Sequence, residues 1–135
     1  MQKPNKGINI LYVDSDEESQ IYVKKLLGHE GYSIIIASGI ISGLIYLSMK
    51  DIDLIIIDHI MPTFKVDEIV SLAETLRIPV IFYTSDNEKT SNKYRIIKKS
   101  HGIQDLLQAI NATMSNVLVC GKTIRFNYAL KHIKS

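Results

Sequence analysis

LIIIDHIMP, residues 54–62, decides the reading of this chain. Four apolar residues, three of them isoleucine, run directly into Asp58, and Pro62 closes the turn. A short, continuous apolar run bounded by turn residues reads as a strand buried on both faces. A carboxylate at the end of such a strand sits where charge is costly unless it is paired or partly hydrated. Turn formation alone explains many such aspartates. The rest of the chain decides between that explanation and chemistry.

Working outward, apolar runs alternate with helical spacings. Ile8–Val13 reads as the first strand and ends at Asp14. Asp14 to Glu18 suit a helix start and its dipole, with Ile21, Val23, Leu26 and Leu27 inward and Gly31 as the stop. A strand over 33–37, a helix over 41–49 and the strand 53–57 follow. Ile69, Leu72, Ala73 and Leu76 mark a further helix. IPVIFYT (78–84) and YRIIK (94–98) read as strands four and five, and Ile103–Met114 as the last helix. This β/α alternation predicts an α/β fold: a doubly wound, five-stranded parallel sheet, order 2-1-3-4-5, flavodoxin-like. The residues between Thr84 and Tyr94, SDNEKTSNK, include no apolar residue and are few for a parallel crossover. A shortened or missing fourth helix is expected there.

Composition bounds the function classes. The chain has 135 residues, net charge +2, 46% hydrophobic and 22% charged residues. These values suit one soluble domain, and the charge is too small to argue for nucleic acid or an anionic membrane. The single cysteine, Cys120, closes no internal disulfide, so a reducing cytoplasm is the expected location and packing its expected role. The start, MQKPNKG, has no apolar signal-peptide core. Residues 32–49 carry no charge over 18 positions, the lower edge of a membrane-span signal. Ser38, Gly39, Ser42 and Gly43 break the run, so it reads as strand, turn and helix. No G-x-G-x-x-G follows any strand, which removes a dinucleotide site.

In doubly wound sheets, ligands bind beyond the carboxyl ends of the strands, at the switch point between strands 1 and 3. Asp14, Asp58, Thr84 and Lys98 or Lys99 all fall at that rim. ILYVDSDEES, DLIIIDHIMP, IPVIFYTS and RIIKKS together resemble, in order and spacing, the signature segments of the response-regulator receiver family, CheY-like phosphoacceptor domains, over residues 8–115. The resemblance implies phosphoryl transfer from a histidine kinase or phosphotransfer protein to Asp58, with Mg²⁺, in a two-component phosphorelay. It implies Asp14 and Asp58 as metal ligands, with Thr84 and Lys99 as phosphoryl-oxygen donors. An output protein or domain would be the downstream partner, and homodimerisation is left open. Such a domain is no enzyme in its own right, although it catalyses its own phosphorylation and dephosphorylation.

Departures from the family pattern sharpen the expectations. Ser15 stands where a second, metal-touching acid is usual, which weakens the Mg²⁺ site. Asp16, one residue on, is the candidate replacement, although Asp16, Glu17 and Glu18 read most simply as a solvated helical turn. Ser100 stands in place of the usual proline after the lysine. Ile96 occupies the aromatic switch position, with Tyr94 two residues away. Lys99 precedes Leu106 by the family's offset, whereas Lys98 follows the two apolar residues better. Strand alternation sends one in and the other out, and Lys99 is preferred. These departures define the alternative, a degenerate pseudo-receiver working as a phosphorylation-independent interaction module. A distant alternative is a haloacid-dehalogenase-like phosphatase using Asp14, since DSD is a D-x-D motif. Glu17 and Glu18 in place of small residues, and no room for a cap, count against it.

Residues 1–7 read as an arm and 116–135 as an extension. VLVCGKTIRF, from Val117, alternates around Gly121 like a hairpin. It faintly resembles the opening hairpin of a winged-helix output domain, and packing on its own domain or a twin chain is equally open. Lys122, Arg125, Lys131, His132 and Lys134 make this tail basic. It has no recognition helix, so no nucleic-acid binding is expected of this chain. His29, His59, His101 and His132 show no ligand spacing.

Overall fold

A computed structural model describes residues 7–58, 66–86, 91 and 93–120, with side chains through 116. Five strands form one parallel sheet: β1 (Asn9–Val13), β2 (Ser33–Ala37), β3 (Leu54–Ile57), β4 (Val80–Thr84) and β5 (Arg95–Lys98). Their order is β2-β1-β3-β4-β5, as expected. Among the described residues, helices α1 (Glu17–His29), α2 (Ile40–Met49), α3 (Val66–Thr75) and α4 (Ile103–Cys120) accompany the sheet, with a 3₁₀ turn over Lys99–His101. Among the described residues no helix lies between β4 and β5, which fits the polar, short crossover.

Strand alternation sorts the core into two layers. Ile10, Tyr12, Leu54, Ile56, Ile81 and Tyr83 face α1 and α4 through Val23, Leu27, Leu106 and Ile110. Leu11, Val13, Ile55, Ile57, Val80 and Phe82 face α2 and α3 through Ile40, Leu47, Ile69 and Ala73. Every residue of β1 after Asn9, and all of β3, is buried. That is why the sequence shows unbroken apolar runs there rather than alternation.

Three expectations need correction. Ile21 does not face inward: it is 64% exposed, whereas Val23 and Leu27 are buried as expected. The last helix continues to Cys120 rather than stopping at Met114, so Val117–Cys120 are helical, not the first arm of a hairpin. The apolar spacing 110, 114, 117, 118 continues the helical period, and no glycine or proline interrupts it before Gly121. The remainder of the tail lies outside the described residues. So do His59 and Pro62, and His132 with the other basic tail residues. Strand ends differ by a residue or two: Ile78 and Tyr94 lie outside β4 and β5. Among the described residues no helix is long and apolar enough to cross a membrane, and the uncharged run 32–49 forms β2, its turn and α2.

Candidate functional site at the carboxyl rim of the sheet

The sheet's own hydrogen bonds place the two aspartates. The Asp14 N–H bonds the Ala37 carbonyl, and the Asp58 N–H bonds the Val13 carbonyl. Both residues are thus held by ladder bonds one step past their strands, on neighbouring β1 and β3. Asp14 is wholly buried and Asp58 is 5% exposed.

Lys99 bridges them. Its Nζ lies 2.8 Å from Asp14 Oδ2, 3.3 Å from Asp58 Oδ2 and 3.2 Å from Ser19 Oγ. It also sits 5.7 Å from the centre of the Tyr83 ring. Burial by itself lowers the affinity of this amine for its proton. The hydrogen bond and charge of Asp14, with those of Asp58, outweigh burial and hold Lys99 above the usual lysine range. The two carboxylates and one ammonium leave a formal charge of −1.

Asp14 is fully engaged. Its Oδ2 also accepts from the Tyr12 hydroxyl at 2.5 Å, and its Oδ1 accepts from the Asp16 N–H at 2.8 Å. Burial first, then the Asp14 bond and charge, keeps the Tyr12 phenol protonated far above its ordinary range. Tyr12 was missed in the sequence, although a signal existed. Residues i and i+2 of a strand share a face, so a tyrosine two before a buried aspartate is placed to donate to it. Gln20 was also missed: its amide donates to the Asp14 carbonyl and to Ser38 Oγ.

Of the predicted site residues, the structure brings Asp14, Asp58 and Lys99 together. Lys98 is the last residue of β5, and its Nζ donates to the Asp86 carbonyl instead. Lys99 opens the 3₁₀ turn rather than continuing the strand, so a turn, not strand alternation alone, aims it. Thr84 ends β4 and is wholly buried, and its Oγ1 accepts from the Asp86 N–H at 3.0 Å. A hydroxyl that accepts in this way can still donate its own proton. Asp16 is the N-cap of α1: its Oδ2 accepts from the Ser19 N–H and Oγ–H. Those bonds from Ser19, side chain first, hold Asp16 below the usual carboxylate range. The cap thus ties one of its oxygens to helix start rather than to the rim. Ser15 is exposed. Tyr94 packs edge-on against Phe82, with ring centres 5.6 Å apart, and its hydroxyl bonds Glu74.

Among the described residues no three His, Cys, Asp or Glu side chains converge to hold a metal. Two carboxylates within reach of one ammonium are nevertheless a donor set that suits a hard cation. Mg²⁺ is commonly held by one or two carboxylates, with phosphate and water completing its shell.

The five-stranded parallel sheet in the order β2-β1-β3-β4-β5 is the fold of receiver domains. No family model matches the sequence, and no curated protein matches it. Solved structures do. A CheY-like response regulator receiver domain protein from Methanospirillum hungatei has TM-score 0.71 at 25% identity, covering 81% of this chain and 94% of that one. Response regulator TrrA from Thermotoga maritima, solved with Mg²⁺-BeF, has TM-score 0.70 at 22% identity, covering 78% and 97%. The receiver domain of the hybrid histidine kinase CckA has TM-score 0.61 at 22% identity, covering 77% and 96%. This chain therefore has the CheY-like receiver fold of two-component response regulators.

Proposed function

We propose that this chain is a receiver that accepts a phosphoryl group on Asp58 from a phosphohistidine in a histidine kinase or phosphotransfer protein. The observation that carries the reading is Lys99 joined to both Asp14 and Asp58 at the carboxyl ends of adjacent strands. An Asp58 oxygen attacks phosphorus, the P–N bond to the donor imidazole breaks, and an acyl phosphate forms. The protein's part is positioning and charge neutralisation. Lys99 and the Thr84 hydroxyl supply donors to the phosphoryl oxygens. Asp14 and Asp58 would hold Mg²⁺, which, when bound, neutralises those oxygens. Asp58 rather than Asp14 is the acceptor, because Asp14 has both oxygens hydrogen-bonded and no exposure. The same enclosure argues against a phosphatase using Asp14. The domain catalyses only its own modification, and a downstream output protein or domain reads its state.

A specific observation favours the second reading, a pseudo-receiver acting by contact alone. Ser15 supplies no charge, Asp16 is engaged in the cap, and Lys99 already offsets one of the two aspartate charges. One experiment separates the two. Incubation with acetyl phosphate and Mg²⁺, read by intact mass, is expected to add one phosphoryl group to the wild type and none to Asp58→Ala. No mass gain in the wild type over a wide Mg²⁺ range would leave the contact module standing.

A further inference from the structure

We propose that Ser19, with Asp16 behind it, is a positioning residue for phosphoryl transfer: its hydroxyl anchors the Lys99 ammonium at the rim. The proposal rests on the reading of Asp58 as the acceptor.

Lys99 needs an anchor. It opens the 3₁₀ turn after the edge strand β5, and its Nζ reaches carboxylates that follow β3 and β1. A lysine stem is flexible and carries much rotamer freedom. Phosphoryl transfer depends on donors already in place where the phosphoryl oxygens arrive. An ammonium has three N–H donors and no acceptor. Three acceptors surround this one: Asp14 Oδ2 at 2.8 Å, Ser19 Oγ at 3.2 Å and Asp58 Oδ2 at 3.3 Å. They come from the ends of β1 and β3 and from the first turn of α1, so together they define one place for the nitrogen.

Ser19 is set to accept from Lys99. Its single hydroxyl proton goes to Asp16 Oδ2, 2.6 Å away, which turns the oxygen's lone pairs to other donors. The cap of α1 does not require that hydroxyl. The backbone donor a cap must satisfy is the Ser19 N–H, and it bonds the same Asp16 oxygen at 3.1 Å. Serine is also a poorer helix former than alanine. The hydroxyl therefore has a partner that helix formation does not explain, and that partner is Lys99.

The three anchors differ once the site works. The bond to Asp58 is the one that a phosphoryl oxygen on Asp58 replaces. Asp14 pairs charge with charge. Ser19 holds the same nitrogen without a charge of its own, so it directs Lys99 and leaves the positive charge for the phosphoryl oxygens. Asp16, the acid one place beyond Ser15, thereby acts on the reaction through Ser19 and Lys99, with no contact to a cation.

Ser19→Ala in the full chain tests the inference. The variant keeps the backbone N–H that bonds the Asp16 cap and introduces a strong helix former, so its circular dichroism spectrum is expected to match that of wild type. Two readouts follow. The assigned Lys99 ammonium signal in nuclear magnetic resonance, recorded with no phosphodonor, is expected to be sharp in wild type and lost to solvent exchange in Ser19→Ala. Ser19→Thr, which returns a hydroxyl, is expected to recover it. With acetyl phosphate and saturating Mg²⁺, intact mass followed in time is expected to show a maximal rate lower by about ten-fold in Ser19→Ala. The half-saturating acetyl phosphate concentration is expected to stay unchanged, and Ser19→Thr to restore the rate. Should Ser19→Ala fail to fold, Asp16→Asn, which keeps a capping side chain and removes the charge, is expected to move both readouts in the same direction. A Lys99 signal alike in wild type and Ser19→Ala, or an unchanged maximal rate, would overturn the inference. A wild type that takes up no phosphoryl group, while its Lys99 signal responds to Ser19→Ala, would overturn the acceptor reading and leave Ser19 as the anchor of Lys99.

Discussion

A carboxylate with no solvent contact must be compensated by donors, and Asp14 has three: the Tyr12 hydroxyl, the Lys99 ammonium and the Asp16 N–H. Tyr12→Phe removes one of them and keeps the ring. It is expected to cost about 1.5–3 kcal/mol, the range for hydrogen bonds to charged groups, measured by urea unfolding at pH 7. The pH dependence follows from the same contacts. Tyr12 and Lys99 both hold their protons above the ordinary range when folded. The unfolded chain releases them first, so the stability they contribute is complete below about pH 10 and falls as pH rises beyond it. Urea midpoints from pH 8 to 11 are expected to drop at the alkaline end, less steeply in Tyr12→Phe. Asp14, Asp58 and Lys99 could be read from the sequence because parallel strands deliver their last residues to one rim. Lys98 and Lys99 were hard to separate because side-chain alternation lapses where β5 gives way to a 3₁₀ turn. Asp16 looked like a spare metal acid because a sequence does not say whether a carboxylate will cap a helix or face a cation.

At the scale of elements, α1 and α3 end by the same device with different residues. After α1, Gly31 takes φ +100°, its N–H bonding Gly28 and the Tyr32 N–H bonding Leu27. After α3, Arg77 takes φ 60°, its N–H bonding Glu74 and the Ile78 N–H bonding Ala73. Both are Schellman endings, in which glycine avoids the left-handed penalty. Arg77→Gly is therefore expected to stabilise the protein by up to about 1 kcal/mol, the left-handed cost less glycine's extra chain entropy. Thermal unfolding is the measurement. Gly43 is a tighter constraint. A Cβ there would meet Ile69 Cδ1 at 2.8 Å and Val13 Cγ2 at 3.3 Å, so α2 sits close to both α3 and β1. Gly43→Val is expected to cost about 1–3 kcal/mol by overpacking, read from the urea midpoint. The Gly31 stop was visible in the sequence because glycine announces the left-handed turn; Arg77 gave no such notice. The strands were visible because burial on both faces leaves unbroken apolar runs. The end of α4 was misread because VLVC fits two periods over so few residues, and only the preceding helix settles which one continues.

At the scale of the molecule, the single sheet couples two apolar layers that form separate clusters among the described residues. β1 and β3 send alternate residues to each: Tyr12 and Ile56 toward α1 and α4, Val13 and Ile57 toward α2 and α3. Loss of either layer strips one face of both central strands, and with it the ladder bonds that hold Asp14 and Asp58. The layers should therefore unfold together, as expected for a domain below 150 residues. Ile110→Ala empties one layer and Ile69→Ala the other; both side chains are wholly buried. Each is expected to cost about 2–5 kcal/mol. Far-ultraviolet circular dichroism reports the helices, and the assigned ring signals of Tyr12 and Tyr83 in nuclear magnetic resonance report the layer that contains these two tyrosines. In wild type and both variants the two signals are expected to share one midpoint. A tyrosine transition that stayed at the wild-type midpoint in Ile69→Ala, while the helical signal moved, would show the layers to be separable. The rim would then rest on α1 and α4 alone.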